Sequence, residues 1–124
     1  AEKLETMVSL GVTNSRMKDF YDVHVLASRF AFEGPMLARA VRVTFERRKT
    51  PFPDGEPLVL TREFLAAPER QTQWRAFLRK GRLHAPLDAG ELAGALRLFL
   101  APVLEAAARG EDFVASWLPA GPWR

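Results

Sequence analysis

Apolar residues recur at intervals of three and four along most of the chain, which is the spacing of one face of an α-helix. In the second segment the apolar positions cover much of the helix circumference, so we expect that helix to be central. The pattern predicts helices in segments 1–11, 16–30, 34–49, 61–66, 68–81 and 88–110. We therefore expect the 124 residues to form a single all-α domain, a bundle of about five or six helices.

Residues that cap or break helices mark the boundaries of these segments. Asn14 or Ser15 can cap the second helix, and Thr61 can cap the fourth. Asp88 stands three residues before Glu91, which is the spacing of a capping box. These side chains can satisfy the backbone N–H groups that a helix start leaves without partners.

Proline and glycine are concentrated between Thr50 and Leu60, where no helix can persist. Within this loop we expect residues 58–60 to form a short extended piece. Pro102 interrupts the last predicted helix, and because proline lacks a backbone N–H we expect it to kink or split that helix. The apolar side chains of the tail, from Phe113 onward, are expected to tie it to the bundle.

The composition excludes several kinds of site. The chain has no cysteine, which rules out disulfides and thiolate metal sites and suits a reducing cytoplasm. Its longest apolar run, residues 96–104, is interrupted by Arg97 and Pro102, so we expect no membrane role. His24 and His84 have no partners at metal-ligand spacing and are expected to be structural.

Basic residues cluster in two runs, Arg47–Lys49 and Arg79–Arg82, although the net charge is only +3. Such runs can contact the phosphates of a nucleic acid. Both runs also lie where a helix is expected to end, and cations there are favoured by the helix dipole. From the sequence, both interpretations stay open.

Side chains that can take part in binding or catalysis are most concentrated between Ser15 and Asp22. Asp19 and Asp22 are three residues apart, so their carboxylates emerge on one helix face, which Ser15 joins. Arg16 can reach Asp19, and Lys18 can reach Asp22. Such a cluster can position a phosphate, hold a metal or assist proton transfer. The alternative is that acidic residues near a helix start only stabilise the helix.

Lys3 is the other candidate, because a lysine on a neighbouring helix could reach a nucleotide phosphate as a point charge. The chain also begins at Ala1 in helical rhythm and without a capping residue, which is typical of a sequence cut from a longer one. A helical piece of this kind is expected to expose its former interface and to self-associate through an apolar face.

Two neighbouring segments together resemble motifs of a known family. Residues 2–8 (EKLETMV), which contain Lys3, are followed by residues 15–22 (SRMKDFYD). They resemble the lysine segment and the R-x-K-D-x-Y-D-L segment of AbiEii/AbiGii-type nucleotidyltransferases, the toxins of type IV toxin–antitoxin and abortive-infection systems. Val23 replaces the usual leucine. Segments 39–53 and 73–77 are similar to the helical C-terminal region of such proteins, so the resemblance spans most of the chain.

The resemblance implies a polymerase β-like nucleotidyltransferase that uses Mg²⁺ to transfer a nucleotide from an NTP to an acceptor such as tRNA, with an antitoxin as a candidate partner. It implies that Lys3 contacts the triphosphate and that Asp19 is the catalytic carboxylate. Asp22 would orient Asp19 or the neighbouring basic groups. Ser15, Arg16 and Lys18 would bind the substrate as auxiliary contacts.

The chain departs from the family pattern in one large respect. The arrangement that binds metal in the family, a Gly-Ser segment followed by a D-x-D/E pair, is absent from it. Nucleotidyl transfer needs a metal to neutralise developing charge. We therefore expect the chain to be the C-terminal helical part of a longer enzyme, to bind no metal of its own and to be inactive alone. The alternatives are a free-standing nucleic-acid-binding or regulatory module and a purely structural or interaction domain.

Overall fold

A computed structural model describes residues 1–11, 16–84 and 88–124. Within these ranges the chain forms a helical bundle, as the apolar spacing predicts, and one very short pair of strands, which that spacing does not predict. The helices are α1 (Glu2–Leu10), α2 (Met17–Arg29), α3 (Gly34–Arg47), α4 (Arg62–Ala66), α5 (Pro68–Lys80) and α6 (Ala89–Arg109). The strands are β1 (Phe32–Glu33) and β2 (Ser116–Trp117).

The prediction that the second helix is central is wrong: α6 is the centre of the bundle, because it contacts α2, α3, α4 and α5. It buries apolar side chains over its whole length, from Ala89 and Leu92 to Val103 and Leu104. Of the kink or split predicted at Pro102, the split does not occur, since α6 continues from Ala89 to Arg109 with this proline inside it. Burial on both sides of Pro102 holds the two halves in one helix despite the missing backbone donor.

Two of the predicted caps are confirmed. Thr61 Oγ1 accepts a hydrogen bond from the Phe64 backbone at 3.3 Å, and Asp88 Oδ1 accepts one from the Glu91 backbone at 2.8 Å. Arg16 occupies the N-cap position of α2. The caps that the sequence predicts at Asn14 or Ser15 lie outside the described residues.

The loop between α3 and α4 contains a correction. Residues 58–60 form a single turn of 3₁₀ helix instead of the predicted extended piece. Val59 and Leu60 are both buried in this turn, which contacts α4 and α6. The turn places two consecutive apolar side chains in the core, which an extended segment with alternating faces would not do.

The tail is anchored to the bundle, as predicted. Strand β2 pairs antiparallel with β1, with Phe32 opposite Trp117. Trp117 Nε1 donates to the Ala27 carbonyl at 2.8 Å, and Trp123 Nε1 donates to the Phe99 carbonyl at 2.9 Å. The tail therefore closes the end of the bundle formed by α2, α3 and α6.

None of the helices in the described ranges has the length and apolar character needed to cross a membrane.

Candidate active site

The carboxylates of Asp19 and Asp22 lie on one face of α2, in its first two turns. Asp19 is buried, with 4% of its surface exposed. Asp22 is partly buried beside it. The predicted grouping of the two acids is therefore present, and its position next to α1 gives it a cationic partner.

Lys3 of α1 lies between these two carboxylates. Its Nζ is 2.9 Å from Asp22 Oδ2 and 3.5 Å from Asp19 Oδ1. The Lys3 side chain nevertheless remains 40% exposed. Packing of α1 against α2 thus holds an ammonium group over two acids while leaving it open to solvent and to an incoming anion.

Two further cations complete the cluster. Arg16 Nε lies 3.2 Å from Asp19 Oδ2, and Lys18 Nζ donates to Asp22 Oδ2 at 2.7 Å. Both contacts are the ones the sequence spacing predicts. The structure therefore brings together Lys3, Arg16, Lys18, Asp19 and Asp22, while Ser15 lies outside the described residues.

The charges in this cluster reinforce one another. Burial opposes ionisation of Asp22, but the hydrogen bonds from Lys18 and Lys3 outweigh it and hold the pKa of the Asp22 carboxyl below its usual value. The hydrogen bond to Asp22 in turn raises the pKa of Lys3, against the smaller effect of burial. At neutral pH both groups are charged, as a phosphate-binding lysine and its counter-ion need to be.

The buried oxygen of Asp19 is incompletely satisfied. Asp19 Oδ2 makes no hydrogen bond to the described residues, although Arg16 lies within ion-pair distance. A buried carboxylate oxygen with a free lone pair is costly unless a further donor reaches it. This atom therefore has the capacity for one more hydrogen bond.

A groove of about 460 Å³ adjoins the cluster, with Lys3 in its wall. Most of its other lining side chains are apolar: Leu4, Val23, Leu26, Phe32, Leu37, Val41, Phe99 and Leu100. No pattern in the sequence predicts this groove, since it is formed by four helices and β1 that are distant in the chain.

Helix α1 makes a second charged contact, which no sequence pattern predicts. Glu5 is only 4% exposed, and its carboxylate accepts hydrogen bonds from Arg48 at 2.6 Å and from Thr50 Oγ1 at 2.8 Å. These bonds outweigh the effect of burial and lower the pKa of Glu5. Because Glu5 ties α1 to the end of α3, it helps to fix where Lys3 stands.

We expect Glu5→Gln to lower the free energy of unfolding by about 1–2 kcal/mol, because the variant lacks the charged acceptor of a buried hydrogen bond. Glu2→Gln is the matched control on the same helix; Glu2 is exposed, and its pairs with Arg47 and Arg48 are expected to contribute less than about 0.5 kcal/mol. Urea unfolding of both variants measures the difference. Equal stability of the two variants would contradict the role assigned to Glu5.

The wild type and Glu5→Gln together test the titration of Glu5. Its pKa is lowered from 4.5, so its stabilisation is complete above that pH and is lost as the pH falls through the lower folded value. The stability gap between wild type and Glu5→Gln is therefore expected to be largest near neutral pH and to shrink in acid.

The carboxylate pair does not fit a divalent metal. The described ranges contain no group of three or more His, Cys, Asp and Glu side chains that could hold one. Asp19 and Asp22 are also already paired with Lys3, Arg16 and Lys18, and a ligand set surrounded by cations repels a metal ion. A metal needed for nucleotidyl transfer has to be held by other residues.

The histidines and tryptophans do not enter the cluster. Burial lowers the pKa of His24, and His84 is exposed. Trp74 and Trp117 are core residues and Trp123 packs against Phe99, so all three tryptophans serve packing.

Comparison with known proteins agrees with the motifs at this site. A family model described as the nucleotidyl transferase AbiEii toxin of a type IV toxin–antitoxin system matches residues 1–108. Searches of curated proteins and of solved structures found no match. The matched range holds the whole Lys3–Asp19–Asp22 cluster and all six described helices except the last residue of α6. The chain belongs to the AbiEii family of nucleotidyl transferase toxins of type IV toxin–antitoxin systems.

Proposed function

We propose that this chain supplies the helical side of a nucleotidyltransferase active site, in which a hydroxyl of an acceptor such as tRNA attacks the α-phosphate of an NTP, takes the nucleotide and releases pyrophosphate. One observation carries the proposal. Lys3 stands between Asp19 and Asp22, held by both carboxylates and still 40% exposed. An open ammonium group next to a buried carboxylate combines a phosphate contact with a proton acceptor.

Lys3 binds the triphosphate in this proposal. A lysine ammonium is a compact charge that can turn toward phosphate oxygens while keeping part of its contact with the carboxylates. Lys18 remains paired with Asp22 when Lys3 shifts, so Asp22 is not left without a counter-ion. Asp22 thereby keeps Lys3 charged and oriented, while Arg16 and Lys18 serve as auxiliary phosphate contacts.

Asp19 is the catalytic carboxylate in this proposal. Its buried Oδ2 lacks a hydrogen bond to the described residues and is suited to take the proton of the attacking hydroxyl. Its other oxygen, Oδ1, lies 3.5 Å from Lys3. The same side chain thus adjoins both the group that binds the triphosphate and the point where a nucleophile would lose its proton.

The metal comes from outside these 124 residues in this proposal. The family uses Mg²⁺, but the carboxylates described above do not fit it, and the family's Gly-Ser segment followed by a metal-binding pair is absent from the sequence. We therefore infer that the chain acts as the C-terminal helical part of the enzyme and is inactive alone. We assign no chemical step to the metal.

Partners and location are further parts of the proposal. An antitoxin is the expected protein partner, and the cytoplasm is the expected compartment. Large apolar side chains are exposed around the strand pair, at Phe30, Met36, Val114 and Leu118. These four residues offer a surface for the self-association that the sequence predicts.

Replacing Lys3 tests the assignment of the triphosphate contact. In an active protein that contains this chain, Lys3→Met is expected to raise the KM for NTP at least about 10-fold, because methionine cannot make the charge-assisted hydrogen bond to phosphate. Lys18→Met is the comparison and is expected to raise KM less than about 3-fold, because Lys18 is an auxiliary contact that is itself paired with Asp22. An unchanged KM in Lys3→Met would overturn the role of Lys3.

A further inference from the structure

The outward face of α5 carries a dense group of cations. Arg75, Arg79, Lys80 and Arg82, here called the α5 basic surface, are all exposed. The sequence contains no acidic residue from position 70 to position 87. None of these four cations makes an ion pair with any residue in the part of the chain that the structure describes.

In the other basic run of the sequence, Arg47–Lys49, two of the three cations are paired with acidic residues. At the end of α3, Arg48 lies 2.6 Å from the buried Glu5, and Arg47 lies 3.4 Å from Glu2. That run is therefore used to hold α1 on α3. The two runs look alike in the sequence, but Arg47 and Arg48 of the first pair with acids of α1, whereas no cation of the second pairs with an acid in the described residues.

The helix dipole does not account for the α5 basic surface. It favours cations only in the last turn of a helix, which covers Arg79 and Lys80. Arg75 lies in the middle of α5, and Arg82 lies beyond its end. The positive charges of neighbouring cations repel one another, and this lowers the stability of the fold unless an anion binds between them.

The α5 basic surface lies one helix away from the candidate active site. The opposite face of α5 packs on α2, where the Tyr21 ring lies 6.2 Å from Trp74 and 5.6 Å from Phe77. Tyr21 stands between Asp19 and Asp22 in the sequence. The α5 basic surface is therefore carried by a helix that packs directly on the helix with both carboxylates.

We propose that the α5 basic surface binds the phosphate backbone of a nucleic acid. That this nucleic acid is the acceptor of nucleotide transfer rests on the proposed function, whereas binding of a nucleic acid to this surface does not. No large apolar side chain is exposed between residues 70 and 84. Protein partners are usually anchored by apolar and aromatic side chains, while a phosphate backbone is bound by cations alone, so this surface fits the latter.

The test measures binding of a fluorescein-labelled RNA hairpin to the chain by fluorescence anisotropy, from about 50 to 200 mM salt. In the triple variant Arg79→Gln, Lys80→Gln and Arg82→Gln, the Kd is expected to rise at least about 10-fold. The slope of log Kobs against log salt is expected to become shallower by about 2 to 3, because each phosphate that the variant no longer neutralises keeps its counter-ion.

A second triple variant, Arg39→Gln, Lys49→Gln and Arg124→Gln, is the matched control. It removes the same charge from exposed residues on other parts of the surface and is expected to change Kd less than about 3-fold. Arg75→Gln, on the exposed face of α5, is expected to weaken binding by itself. Circular dichroism shows that each variant keeps its helices.

Three results would overturn the proposal. The first is that the wild-type chain does not bind the hairpin at about 50 mM salt. The second is that the two triple variants lose affinity equally. The third is that polyglutamate binds as tightly as the hairpin, which would indicate an acidic protein partner. An Asp19→Asn chain is expected to bind the hairpin normally. Full nucleotide transfer by Asp19→Asn with normal RNA binding would therefore contradict the catalytic assignment and leave this surface in place.

Discussion

The Asp19→Asn variant is expected to lower nucleotide transfer at least about 100-fold in an active protein that contains this chain, because an amide cannot take the proton of the attacking hydroxyl. The KM for NTP is expected to change little, since Lys3 keeps its ion pair with Asp22. Rates of NTP consumption at several NTP concentrations separate the two parameters.

Asp22→Asn is the matched control for this prediction. It stands on the same helix and the same face, and it removes one carboxylate charge beside Lys3. We expect a smaller fall in the rate, about 10-fold, together with a higher KM, because Asp22 acts by orienting Lys3. Full transfer activity in Asp19→Asn would remove Asp19 from the mechanism.

The Trp74→Ala variant is expected to lose about 3–5 kcal/mol of the free energy of unfolding. Trp74 is 1% exposed, and its ring lies 5.9 Å from that of Phe77 and 6.2 Å from that of Tyr21. The loss is a large share of the roughly 5–15 kcal/mol that stabilises an ordinary domain. It combines the reduced apolar burial with the cavity left between α2 and α5.

Trp74→Phe is the comparison for this variant, since it keeps an aromatic ring against Tyr21 and leaves a smaller cavity. We expect it to cost less than half as much as Trp74→Ala. Urea unfolding with a common slope gives both values. A loss below about 1 kcal/mol in Trp74→Ala would mean that α5 is not held on α2 through this residue.

Much of the fold could be predicted, because local rules specify most of it. Apolar spacing locates the helices, and the hydroxyl of Thr61 and the carboxylate of Asp88 mark two helix starts by satisfying backbone N–H groups. The exceptions are tertiary. Burial keeps α6 continuous through Pro102, and burial of Val59 and Leu60 favours a 3₁₀ turn over an extended piece.

In the candidate site, too, contacts within one helix could be predicted and contacts between helices could not. The pairs Arg16–Asp19 and Lys18–Asp22 follow from helical spacing and could be predicted. The sequence marks Lys3 as a candidate, but its contact with both acids depends on how α1 packs on α2 and could not be predicted. The bond between Glu5 and Arg48 joins residues 43 positions apart, and no local pattern signals it.

The two basic runs show why charge patterns alone were ambiguous. Arg47–Lys49 and Arg79–Arg82 have the same composition of cations and similar positions at helix ends. The first run meets Glu2 and Glu5 from α1, while the second meets no acid in the described residues. What separates them is the neighbouring helix, which the sequence does not reveal.

The most direct test of the central claim is a transfer assay with α-labelled NTPs and total tRNA, using a protein that joins this chain to the family's metal-binding motifs. The account predicts label on RNA in the presence of Mg²⁺ with at least one NTP, and its loss in Asp19→Asn. No label with any of the four NTPs, in a folded protein that binds RNA, would contradict it. So would equal labelling by the wild type and Asp19→Asn.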